Sequence, residues 1–216
     1  MAEITLHKGD YLTFAAIAAA VGVKVQGPDF RMCEIEHGIW RRHPDIGNRS
    51  RSDISRDGYM GVLLYAAVFN KKDMVERIRK AGWRRGWTMG DRGHWDYINI
   101  TPLVPIIYAF KWRWFPTLPT LCTKWNNTGF RAHLLALAIL IEHCMGKRRW
   151  SHRQGAQGLH EKNPRNIWFN ELYCLVHGKR SGYYTPFGYG NDDYHWGGCP
   201  LELHRAISGF TARLPR

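Results

Sequence analysis

The chain has no C-x-x-C pair, no long apolar run and no signature that by itself names an enzyme. Its five cysteines, Cys33, Cys122, Cys144, Cys174 and Cys199, are odd in number and widely spaced. None forms the C-x-x-C pair that begins a zinc site or a redox motif, so they read as reduced, buried thiols. The apolar stretch at residues 11–23 is too short to cross a bilayer, and Glu3 and Asp10 precede it in place of the clean positive charge of a secretory leader. It reads as a first helix, with a signal peptide ending near Ala20 as the alternative, and the expected location is cytoplasmic or virion-associated, secretion being the lesser alternative. A P-loop, a dinucleotide fingerprint and a nucleophile elbow are all missing. So is any run with the two-residue alternation of a half-buried strand that could compete with the helical pattern.

Acidic residues are the other shortage. Eighteen Asp and Glu stand against 31 Lys and Arg, a formal charge of +13, so the expected partner is an anionic polymer, either an acidic glycan or a nucleic acid. Apolar residues are plentiful. At 44% of 216 residues they suffice for a sizeable core in one domain spanning residues 1–216. Ten Trp and ten Tyr serve mainly that core, with some left over to stack on bases or sugars.

Helical spacing organises most of the chain. Residues 11–21 follow Asp10 as a cap and stop at Gly22, and Asp29 is placed to cap a second helix through Met32, Ile35 and Ile39 ahead of Pro44. Ser55 caps a helix carrying Met60, Leu63, Leu64 and Ala67. After a very short link, Asn70 and Asp73 open another with Met74, Val75 and Ile78 inward, ended by Gly82. Thr101-Pro102, Asn163-Pro164 and Pro200 mark three further starts, and residues 130–145 give the clearest helix. Segments 83–100 and 183–196 leave room for short strands. The expected fold class is all-α, built of antiparallel helical hairpins with long loops at one end.

Antiparallel succession sends the connections alternately to two ends of such a bundle. One end gathers residues 41–57, 83–101 and 146–163, with thirteen basic residues against six acidic ones, a net +7. His43, His94, His152 and His160 fall there beside Trp83, Trp87, Trp95 and Trp150. Arg41, Arg42, Arg56, Arg92, Trp95 and Asp96 are the side chains expected to hold an anionic polymer at this mouth. An ordinary solvated loop face accounts for the same charge.

Asp57, in Ser55-Arg56-Asp57-Gly58, occupies a first helical turn, where the helix dipole favours an anion. It either caps the helix or, with Gly58 and Gly61 leaving space above, faces a cleft as a catalytic group. Helical hairpins with decorated loops and acids at helix starts resemble the α/α-toroid proteins, which include glycoside hydrolases and polysaccharide lyases. Ser55-Arg56-Asp57 with Gly61-Val62-Leu63-Leu64, the His133-Leu134-Leu135-Ala136-Leu137 helix and Asn163-Pro164 before Trp168-Phe169 are also similar to helical proteins of unassigned role in phage genomes, over about residues 30–180. The toroid resemblance implies an incomplete α/α-toroid acting as a carbohydrate-active enzyme on an anionic polysaccharide, without a metal or cofactor. A hydrolase of this kind would pair Asp57 with Asp91, Asp53 and Asp96 being the substitutes. A lyase would use His94 as base, with Arg56 or Arg92 neutralising the uronate.

Asp91-Arg92-Gly93-His94 also matches the D-R-G-H signature of the ββα-metal nucleases. That resemblance implies a magnesium-dependent nuclease in which His94 activates water and Asn99, Asn126 or Asn127 holds Mg2+. The pattern departs from the family after the motif, because Asn99 follows His94 too closely for the usual hairpin. Asp91, His94 and Asp96 without a distant partner are expected to hydrogen-bond, not to coordinate a metal. His133, on an apolar helix face, is expected to be a core histidine. The remaining expectation is a non-catalytic protein, a phage structural component or a nucleic-acid-binding module whose Arg and Lys residues contact phosphates.

Overall fold

The computed structural model describes residues 3–6, 11–44, 54–89, 98–112, 132–147, 150–164, 166–179 and 201–214. Among them are eight α-helices: α1 (Tyr11–Val21), α2 (Arg56–Val68), α3 (Lys72–Arg84), α4 (Val104–Ala109), α5 (Ala132–Cys144), α6 (Trp150–Lys162), α7 (Ile167–His177) and α8 (Leu201–Arg213). Three short ribbons accompany them. β1 (Glu3–Ile4) runs parallel to β2 (Lys24–Val25), β3 (Glu34–Glu36) antiparallel to β4 (Ile39–Trp40), and β5 (Thr88–Met89) antiparallel to β6 (Ile98–Asn99). The fold is therefore mostly helical.

Two helices are apolar on every side, which requires neighbours all round. Ten of the eleven residues of α1 and twelve of the thirteen of α5 are buried. Both pack on α2, whose Tyr59, Met60, Val62, Leu63 and Leu64 are fully enclosed. Helix contacts then run from α5 to α7, from α7 to α8, and from α8 back to α1, with α6 seated on α5 and α7. The approach of α1 to α2 depends on glycine. A Cβ on Gly61 would lie 2.8 Å from the Thr13 carbonyl oxygen, and one on Gly58 would lie 2.8 Å from Leu12 Cδ2. The space above Gly58 and Gly61 is thus filled by α1.

Several helix ends fall where the caps place them. Ser55 Oγ accepts the Gly58 N–H at 3.0 Å, and Gly178 ends α7 in the left-handed conformation at φ 66°. Elsewhere tertiary packing overrides the local pattern. Asp29 caps only a single 3-10 turn, after which the expected second helix is replaced by the β3–β4 hairpin. Asn70 adopts φ 53° and α3 begins after Lys71 with no side-chain cap. Asn166, not Asn163, caps α7. The stretch 146–163, expected as a loop, contains α6, which buries only His152, Ala156 and Leu159. The short strands expected within residues 83–100 are β5 and β6. Cys33 and Cys144 are thiols whose pKa values burial pushes up to about 12.

Candidate functional site

Helix α3 carries the strongest separation of apolar and charged side chains on the described surface. Met74, Val75, Ile78, Ala81 and Gly82 face inward, and Ile78 is fully buried. Residues 71–85 hold seven basic side chains against two acidic ones. The helical repeat aligns Arg77, Lys80 and Arg84 in one stripe with Trp83 beside it. The C-terminal end is fixed by a Schellman-type closure. Gly86, at φ 61°, turns the chain and the Trp87 N–H reaches back to the Gly82 carbonyl at 2.6 Å. The Trp87 ring then lies on Gly82, where a Cβ would come within 2.4 Å of it. This anchors the turn that presents Trp83 and Arg84.

The β3–β4 hairpin braces the other side. Arg77 grips Glu34 with two parallel hydrogen bonds, Nε to Oε1 at 2.8 Å and Nη2 to Oε2 at 2.9 Å, the geometry that makes an Arg–carboxylate pair most specific. Glu34 Oε1 also accepts the Gly38 N–H at 2.8 Å, and the Tyr59 hydroxyl donates to the Gly38 carbonyl at 3.3 Å. Gly38 is pressed so closely to α3 that a Cβ would sit 2.2 Å from the Arg77 carbonyl oxygen, and its φ is 87°. The turn thereby holds His37 across from the basic stripe.

Between these walls lies a groove of about 510 Å³ lined by His37, Arg77, Arg79, Lys80, Trp83 and Arg84. Its cations are not equivalent. Arg77 is shared between Glu34 and Asp73, and Arg79 is bound to Glu76 at 2.6 and 2.7 Å with the Tyr108 ring 6.0 Å away. The hydrogen bond from Arg79 lowers the Glu76 pKa, and Arg79 is raised in return. Lys80 and Arg84 have no ion-pair partner among the described residues, and both are exposed. Trp83 is 69% exposed. The groove offers hydrogen-bond donors, positive charge and one flat apolar face, with no carboxylate or amide side chain among its lining.

Neither a protein-family model, a curated protein nor a solved structure matches the chain.

Of the residues singled out in the sequence, Asp57 and His133 are brought together. Asp57 Oδ2 lies 3.2 Å from His133 Nε2, with the carboxylate 27% exposed and the imidazole 4%. His133 is therefore a core histidine in contact with an acid at the start of α2. Arg56 Nε donates to the Asn99 carbonyl at 2.9 Å, tying α2 to β6. Asn99 Oδ1 accepts the Thr101 N–H at 2.7 Å, and Asn99 sits on a strand, not a helix. Arg41 and Arg42 follow β4, where the Arg41 N–H bonds to the Cys33 carbonyl and the Arg42 carbonyl accepts from Leu12, away from the groove lining. Asp53, Asp91, Arg92, His94, Trp95, Asp96, Asn126 and Asn127 lie outside the described residues. No three His, Cys, Asp or Glu side chains converge as a metal-binding group among the described residues.

Two residues assigned to the basic mouth turn inward. Lys147 is 6% exposed, and His152 is buried on α6 with its Nε2 2.5 Å from Oε2 of the fully buried Glu142 on α5. The groove residues Arg77, Arg79 and Lys80 escaped the sequence reading, which took α3 only for its inward face. The available signal was the basic content of the outward face, continuing unbroken into Trp83 and Arg84.

Proposed function

We propose that the chain binds nucleic acid through the outward face of α3. The observation that carries this reading is the donor-rich lining of the groove, in which Lys80 and Arg84 stand outside every ion pair among the described residues, beside an exposed indole. A phosphate diester needs donors and positive charge and nothing else. A hydroxyl-rich glycan also needs acceptors, and none of the lining side chains is a carboxylate or an amide. The excess of 31 basic over 18 acidic residues adds a long-range attraction for the same partner. Binding of this kind fits a cytoplasmic or virion-associated protein. Fluorescence anisotropy of a labelled oligonucleotide tests it. Affinity is expected to fall linearly with salt on a log–log scale and to resist competition by polygalacturonate. Equal displacement by that polyuronate would transfer the face to acidic glycans.

A second reading, a carbohydrate-active enzyme on an incomplete α/α-toroid of antiparallel hairpins, draws on the contact between Asp57 and His133. A carboxylate at a helix start backed by an imidazole is a reasonable acid–base pair, and the circuit of helix contacts from α1 through α2, α5, α7 and α8 supports the layout. In that case Asp57→Asn and His133→Gln each abolish turnover of an acidic polysaccharide that the unaltered protein cleaves. Retained turnover in both variants removes the pair from catalysis.

A further inference from the structure

We infer that the α3 groove takes single-stranded nucleic acid, one base stacking on the Trp83 indole while Lys80 and Arg84 hold the flanking phosphates. This rests on the nucleic-acid reading above and narrows it. Trp83 is 69% exposed on a helix whose opposite face is well buried, so the indole contributes surface to the groove and little to the core. Lys80, three residues before it, is its surface neighbour on the helix, and Arg84 continues the basic stripe that runs beside the ring, so both cations line the same groove as the indole. Trp87 and Gly86 fix the turn beneath, so the ring is presented from a rigid end.

A duplex keeps its bases stacked on one another and offers this indole only sugar and phosphate. An unstacked strand offers open base faces, and stacking on an aromatic ring is tolerant of sequence. The groove volume, about 510 Å³, belongs to the range of small-ligand sites and suits a nucleotide, not the width of a double helix. His37 adds a second flat ring to the groove lining, this one polar. Arg77 and Arg79, already paired with Glu34, Asp73 and Glu76, shape the groove and leave the phosphate contacts to Lys80 and Arg84.

The test compares a labelled oligothymidylate with the same strand annealed to oligoadenylate, over one series of salt concentrations, for the unaltered protein, Trp83→Ala and Trp83→Phe. Because the side chain is exposed, all three are expected to give the same circular dichroism spectrum. The single strand should bind more tightly than the duplex. Trp83→Ala should weaken single-strand binding roughly 5- to 150-fold with the salt slope unchanged, and Trp83→Phe should restore most of the loss. Equal affinity for duplex and single strand, or a Trp83→Ala variant that binds as before, overturns the stacking role while the nucleic-acid reading stands. Failure of the unaltered protein to bind either oligonucleotide overturns both.

Discussion

Gly38 and Gly86 both adopt positive φ, yet they should respond very differently to a methyl group. At Gly38 the added carbon meets the Arg77 carbonyl at 2.2 Å, whereas at Gly86 nothing lies within 4 Å. Gly86→Ala is expected to cost about 1 kcal/mol, the backbone term alone. Gly38→Ala adds a backbone clash and is expected to cost about 3 kcal/mol or more, lowering Tm by roughly 6–12 °C. Thermal melts of the two variants separate the contributions. Glu142 and His152 give a second test at this scale. Removing one member leaves the other buried and unmatched, so Glu142→Ala should cost about 3–5 kcal/mol, whereas the double change Glu142→Leu/His152→Leu should cost far less than the sum of its parts. Denaturant unfolding of the single and double variants measures this. The capping role of Ser55 was legible because a cap acts within one turn. The Glu142–His152 contact was not, because it joins two helices across a connection whose pairing no local spacing encodes.

Helices with a continuous apolar pattern were readable to within a residue or two, α1 and α5 above all, since their burial is written in every position. α6 was not. Its sequence is polar, contains Gly155 and Gly158, and buries three side chains, so its stability comes from packing on α5 and α7 and from contacts such as His160 Nδ1 to Asn170 Oδ1 at 2.6 Å. Residues 29–40 misled in the opposite direction. Met32, Ile35 and Ile39 have helical spacing, but the Glu34–Arg77 pair and the left-handed Gly38 hold the segment as a hairpin against α3. In α3 itself, the Arg79–Glu76 pair lies one turn apart on the surface. Because the hydrogen bond from Arg79 lowers the folded Glu76 pKa, the pair stabilises above the ordinary carboxylate range and is lost as pH falls through the lowered value. Glu76→Gln should therefore lower Tm by only about 1–2 °C at neutral pH, and the difference should vanish in acid below the carboxylate range.

For the molecule as a whole, composition announced an excess of positive charge and helical spacing the helical class, but neither singled out α3 as a basic face. Alternating helix polarity placed the excess charge on loops, and much of that loop set lies outside the described residues. Lys147 and His152, counted with it, are buried. The described surface instead concentrates charge on α3, where residues 71–85 alone supply seven basic side chains against two acidic ones. In the nucleic-acid reading such a face would recruit the strand by releasing its counterions, and each cation that touches a phosphate would add about 0.7–0.9 to the log–log salt slope. Lys80 and Arg84, the groove cations in no ion pair among the described residues, are where that dependence should originate. The measurement is therefore a salt titration of oligonucleotide affinity for the unaltered protein and for Lys80→Gln/Arg84→Gln. The double change is expected to weaken binding and flatten the slope by about 1.4–1.8 without altering the fold. An unchanged affinity and slope in the double variant would contradict α3 as the binding face.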